Sequence, residues 1–432
     1  MNVAETLSFK NALLENFEQI LPSLYGDSQT RRNAAAYFEK IGFPNRKTED
    51  YKYINPEAVL KQGFGFNATV LNELTAKDIA KFTFKKDSSV LVIENGKFSE
   101  ALSQFKNLPK GFTISNIADA VISNEVAKKH YTKHAHFDAD PFIALNTAMT
   151  TGGIFMHVSK NTQSKHPIQI IHISNFETPS FSQTRNLIII DEGAEAIVIE
   201  SYETIGQVKT FSNPVTEVFV AANAKLDHYR IQSEGENALQ VNTLQASVCG
   251  NSIYSTYTFT LGGNFVRNNL NILFTEKNGE AHLFGLYPIA NDQTVDNHTV
   301  VDHAVPNCMS NELYKGVIND KASATFNGKI FVRPDAQKTN AYQTNRNILL
   351  SDNATVNTKP QLEIYADDVK CSHGTSTGKV NEDAMFYLQA RGIGKESARA
   401  LLIRAFAEEV VDMVKIEELR NYIDSKIDTL LK

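Results

Sequence analysis

Residues 186–202 read NLIIIDEGAEAIVIESY. An aliphatic run leads into an acidic turn around Gly193, and a second β-rich run follows at once. Branched side chains favour pleated backbone and glycine supplies the turn, so the unit is strand, tight turn, strand. Working outward, turns of the same flavour recur as AANAKL at Ala224, VCGNS at Gly250, EKNGEA at Gly279, NDKASA at Ala322 and SDNATV at Ala354. The intervals between these six positions are 31, 26, 29, 43 and 32 residues. Recurrence at such a period marks a solenoid, a propeller or an array. Runs such as GIFMHV, IQIIHIS, TEVFVA and KIFVRP fill residues 152–380 almost without helical periodicity. They are too many for one sandwich, and no blade signature supports a propeller. The reading is mainly β: a parallel β-helix, whose stacked rungs bury one another's apolar faces. The 43-residue interval predicts an excursion around NDQTVDNHTVVDHAVPNCMSNELYKG.

Helices flank this core. In residues 1–151, AETLSFKNALLENFEQIL and SQTRRNAAAYFEKIG have helical spacing, the second with Ser28 as its cap and Gly42 as its stop. A small α/β stretch follows, with SSVLVIENGKF as a strand and NIADAVISNEVAKKHY as one helix. In residues 381–432, NEDAMFYLQARG starts at an Asn381 cap and stops at Gly392. Beyond it, Ala398, Leu401, Leu402, Ala405 and Phe406 form one stripe, and Ile416, Leu419, Ile423 and Ile427 another. Such a tail either caps the open end of a solenoid or docks a partner.

Composition narrows the class. Apolar residues make up 42% of the 432, enough for a substantial core, and a net charge of -6 gives no nucleic-acid or membrane-surface footprint. The first residues carry no basic n-region or apolar h-region, and no stretch approaches the length of a membrane span. Three cysteines without close pairing fit a reducing compartment, so the expected location is cytoplasmic.

Few residues carry candidate chemistry. GTSTGKV has one residue too few between its glycines for a phosphate loop and Val380 where a hydroxyl is needed. GIGKES at Gly392 follows a helix where a dinucleotide fingerprint needs a strand. His130 and His134 lack the intervening general-base glutamate of a zinc protease and read as a solvated helix end. His298, His303 and Cys308 fit no standard zinc spacing, and Cys249 reads as a rung side chain. The segment KCSHG is different. If the strand before it continues, Cys371 and His373 share one face, with roots about 6–7 Å apart. Three cysteines cannot build a four-thiolate cage alone, so as a metal site the pair is incomplete. A hydrolytic pair and a purely structural role stay open on these residues.

VNTKPQLEIYADDVKCSHGTSTGKVNEDAMFYLQARGI strongly resembles the C-terminal signature of the SufB/SufD family of iron–sulfur cluster assembly scaffolds. The likeness extends through NELYKGVINDKASATFNGKIFVRPDAQKTNAYQTNRNILLS and to RRNAAAYFEKIGFPNRKTEDYKYIN, where Tyr51 stands in place of a more usual Trp. KCSHG resembles the SufD members; SufB members carry a segment like EHEATTSKIGED there. The resemblance implies a right-handed parallel β-helix with helical domains on both sides. It implies a non-catalytic scaffold that works with a SufB-like paralogue and a SufC-like ABC ATPase. It maps a transient cluster or iron site, shared with the paralogue, onto His373 and Cys371, and ATPase docking onto the helix bearing Leu401, Leu402, Ala405 and Phe406. A polysaccharide-active β-helix enzyme and a purely structural homodimer are the rival readings.

Overall fold

The computed structural model describes residues 3–61, 63–66 and 69–430. Two long sheets face each other and share one winding chain. One contains ten strands, the other eleven, and almost every neighbour is a parallel strand about one rung away in sequence. This is a parallel β-helix of about eight turns with helices before and after it.

The corners explain why the chain winds this way. At one edge a residue adopts the left-handed conformation in each successive rung: Asn161, Gly193, Asn223, Asn251, Asn278, Asn307 and Lys338, with φ between 54° and 68°. Asparagine and glycine tolerate this region best. Each corner amide reaches the next rung, as Gly193 N does to Ala222 O at 3.1 Å and Asn223 N to Gly250 O at 2.9 Å. The opposite edge has its own left-handed residues, Asn291 and Asp320.

The expected excursion is absent. Glu280 pairs with Met309 and Thr294 with Ser323, so the rung here is 29 residues long, like its neighbours. The interval of 43 arises because Gly279 lies at one corner and Ala322 at the other. The intervening corner, AVPNC, has Cys308 after its left-handed Asn307 and none of the glycines or turn alanines by which the six were counted, so the count passed over it.

Alternation along each strand divides lumen from exterior. Inward residues such as Ile188, Val218, Ala246 and Ile272 stack in one apolar column, with Val198, Leu226 and Leu283 facing them from the other sheet. Part of the lumen is polar. Glu200 is fully buried and accepts from His172, His228, Asn186 and Tyr202.

The exterior faces carry the flanking helices. Phe9, Leu13, Phe17 and Phe38 pack with Phe142 onto Phe211, Leu239 and Phe265 of one sheet. The second helix is capped by Asp27, one residue ahead of the expected Ser28, because Asp27 accepts from the amides of Gln29 and Thr30. The expected single helix at 116–131 is two, Ile117–Ser123 and Glu125–His130, since Asn124 turns extended and caps the second. On the other sheet, helices Lys395–Val411 and Glu417–Leu430 lay Ala407, Val410, Val411 and Ile423 over Tyr229, Tyr257 and Phe284. This tail lies along the flank of the solenoid and does not cap its end. No helix among the described residues is long and apolar enough to cross a membrane.

The two ends of the solenoid differ. Near the first rungs, the antiparallel strands Lys97–Gln104 and Phe112–Asn116 close the sheets. At the far end the sheets stop at Thr355–Ile364 and Lys370–Gly378, each paired on one side only among the described residues.

Candidate site at the open end of the solenoid

Lys370–Gly378 is the last strand, in parallel register with Asn340–Leu349. The register settles where KCSHG points. Cys371 pairs with Ala341, and His373 with Gln343. Following the column inward, Gln343 sits over Glu312, and Glu312 over Leu283. Leu283 belongs to the lumen core, so Cys371 and His373 face the lumen side of the final rung.

Their surroundings differ. Cys371 is half-buried and packs against the cluster formed by Ile330, Val332 and Ala341. Burial pushes its thiol up from the ordinary range, which favours the protonated form. His373 is exposed, with no further rung over it. Thr375 and Thr377 continue the same face outward. Beneath His373, Gln343 and Glu312 are 2% and 1% exposed, and the Gln343 amide donates to Glu312 Oε2 at 2.8 Å. Burial raises the Glu312 carboxyl to about 7. Tyr342, Ile364 and Tyr365 add exposed apolar surface around this end. An unpaired sheet edge bordered by apolar side chains can pair with or pack against another chain.

Among the described residues no group of three His, Cys, Asp or Glu is placed to hold a metal, and no hydrogen bond joins Cys371 to His373. The end of the solenoid presents the Cys371 and His373 side chains on one face.

The other candidates lie elsewhere. His130 and His134 are not a solvated helix end. His134 lies beyond the helix, and both rings pack on Phe219 with Nδ1 of His130 3.0 Å from Nε2 of His134. His298 is on the exterior face, with its Nδ1 accepting from Arg267. His303 faces the lumen and bonds Ser310 at 2.9 Å, while Cys308 and Cys249 are buried at corners. GTSTG is strand throughout, with no helix to receive a phosphate.

In the tail, Leu401 is 49% exposed, Ala405 is exposed, and Leu402 and Phe406 are half-buried. The face that packs inward is Ala398, Ile403, Ala407 and Val410. The preceding helix, Glu382–Ala390, buries no residue, and its Phe386 and Tyr387 are 73% and 56% exposed. Sequence periodicity missed these two as surface residues. It also missed Glu312 and Gln343, whose place under His373 is a property of register.

Family comparison decides the class. Residues 172–406 match the model described as "SUF system FeS cluster assembly, SufBD core domain", and residues 22–170 match "SufBD protein N-terminal region". The chain belongs to the SufBD family. An iron-sulfur cluster assembly SufBD family protein of Synechocystis sp. is 30% identical over 399 residues, covering 90% of this chain and 88% of that protein. The iron-sulfur cluster assembly protein SufD of Escherichia coli is 28% identical over 397 residues, covering 90% and 89%. SufD of Bacillus subtilis is 26% identical over 370 residues, covering 84% of each. As a SufBD family member the chain is an iron–sulfur cluster assembly protein. The β-helix matches the SufBD core, and the open end with its Cys–His pair falls inside that match.

Proposed function

We propose that this chain is a non-catalytic scaffold subunit, and that a SufB-like paralogue covers the open end of its β-helix. The nascent cluster, or iron destined for it, is cargo held at that junction. The observation that carries this reading is the placement of Cys371 and His373 on the lumen face of a last, half-paired strand. Two donors are too few to retain a cluster, so thiolates or carboxylates from the docked subunit complete the set. A neutral imidazole is a weaker and pH-sensitive ligand, which suits cargo that must leave. The exposed Phe386, Tyr387 and Leu401, with Leu402, Ala405 and Phe406 beside them, offer an apolar surface for a SufC-like ATPase. ATP-driven movement there reaches the rungs through the helix Lys395–Val411, whose Phe406 carbonyl accepts from Lys315 Nζ at 2.8 Å.

The test is His373→Ala in the chain co-expressed anaerobically with its paralogue and ATPase. Cluster yield on the assembled complex falls while assembly persists. Normal assembly with unchanged yield removes His373 from the site. For the tail, Phe386→Ser with Leu401→Ser weakens ATPase capture at unaltered thermal stability, because both side chains lie in solvent. Lost stability with retained capture would make them packing residues.

A further inference from the structure

His373 stands at the top of a polar column, and that column has a direction. Gln343, directly beneath it in register, donates its Nε2 to Glu312 Oε2 at 2.8 Å. Ionised, above its raised value of about 7, the Glu312 carboxylate only accepts, so there this bond fixes which end of the Gln343 amide faces it. The other end, Oε1, is buried and has no partner among the described residues. Gln343 is 2% exposed, so this acceptor is not at the surface. The fold makes room for the arrangement. Gly328 lies opposite, and a Cβ there would come within 2.4 Å of Gln343 Nε2. Glycine at 328 thus accommodates the amide where it sits. Buried acceptors without donors are rare and costly. The next side chain up the column, about 4.8 Å away in strand spacing, is the His373 imidazole, which carries a donor on one nitrogen.

We propose that Gln343 is a positioning residue for His373: its side-chain carbonyl accepts the lumen-side N–H of the imidazole and leaves the outward nitrogen free to bind iron. This rests on the reading of His373 as a ligand at the covered end. Glu312 acts one step further down by holding the Gln343 amide in the required orientation. Histidine ligands generally give their second nitrogen to a carbonyl or carboxylate, which sets tautomer and ring angle. Here the carbonyl belongs to a neighbouring rung of the same solenoid. His373 has no bond to Gln343 in the exposed state, and the proposed contact forms as the ring folds over the mouth.

The experiment uses the assembled complex, in which the mouth is covered, with ¹³C,¹⁵N-labelled histidine in this chain alone at pH 8.5, above the Glu312 value of about 7. His373 is assigned by the signal lost in His373→Ala, and its tautomer ratio is read from ring carbon and nitrogen shifts. Gln343→Leu changes that ratio by about fivefold, the population shift that one net hydrogen bond supplies. In the assembled complex the same variant lowers Fe²⁺ affinity by about 10- to 100-fold. Should Gln343→Leu fail to fold, Glu312→Gln decides: it is isosteric, frees the amide to flip, and moves the ratio the same way. A purely structural Gln343 would alter stability and leave the tautomer ratio alone, and an unchanged ratio in the folded variants overturns the proposal. If His373→Ala leaves cluster yield intact while the ratio still responds to Gln343→Leu, the ligand reading fails and the positioning contact stands.

Discussion

Glu217→Ala measures how firmly the N-terminal segment is fastened to the solenoid. The Glu217 carboxylate is fully buried on the exterior face of one sheet. It accepts from Arg185 Nε at 2.9 Å and from the amides of Thr132, His134 and Ala135 at 3.0, 2.9 and 2.9 Å. These bonds hold its own carboxyl below the usual range despite complete burial. Arg185 is equally buried and keeps only Asn146, Thr147 and the Ala135 carbonyl if Glu217 is removed. Breaking one side of such a pair costs about 3–5 kcal/mol. Each stranded amide adds up to ~1 kcal/mol where water cannot reach it. The expected loss is therefore about 3–8 kcal/mol, the lower end being the broken pair alone. Urea unfolding followed by tyrosine fluorescence suits a chain with fifteen tyrosines and no tryptophan. Hydrogen exchange at residues 132–135 locates the loosened segment. Replacing both partners, Glu217→Met with Arg185→Met, costs less than the single change because no charge is left stranded. A single-variant loss under ~1 kcal/mol, or a double variant worse than Glu217→Ala, would refute the clasp.

Acid stability should depend on His303. Burial holds its imidazole at about 3 against an ordinary 6.5. Between those values the unfolded chain binds the extra proton, so stability rises with pH across the window and is lost on acidification. The span corresponds to on the order of 5 kcal/mol, of which about 3 falls within a urea-midpoint profile measured from pH 7 to 4, and His303→Gln flattens that part. Gly285→Ala should destabilise by roughly 1–3 kcal/mol, since its Cβ would meet the Tyr314 ring at 2.2 Å. Gly374→Ala, with open space around it, should stay within ~0.5 kcal/mol in the same melt. Alkylation mapped by peptide mass at pH 8 should label Cys371 before Cys249 and Cys308. The last two are buried and Cys371 is half-exposed; equal rates would mean the corners open readily.

The solenoid was legible because its signal is local and repeated. Strand runs and turn residues recur along residues 186–356, and each copy reports the same backbone geometry. The error at the 43-residue interval has a physical source: both corners use left-handed Asn, Asp or Gly, so one-dimensional text does not say which edge a turn belongs to. Cys371 and His373 were legible as a same-face pair, because alternation is a property of a single strand, although the strand before them does not continue as expected: it ends at Ile364 and a new one starts at Lys370. Which face they share, and that the strand is the last one, required the register of every rung before it. The tail shows the same limit. Its helices were clear from spacing, yet the stripe of Leu401, Leu402, Ala405 and Phe406 is not the buried face. The helix carries apolar residues on more than one side, and only the sheet of Tyr229, Tyr257 and Phe284 selected Ile403, Ala407 and Val410.

By itself, then, the sequence determined the kind of fold, its helical flanks and the same-face pair of KCSHG, since each is written in neighbours a few residues apart. The tertiary structure decided that Cys371 and His373 face the lumen at an uncovered end, and that Gln343 and Glu312 stand below them. Residues 312, 343 and 373 are about thirty apart in the chain and adjacent only through parallel pairing. No short-range pattern encodes that adjacency; it is the sum of rung lengths along the solenoid.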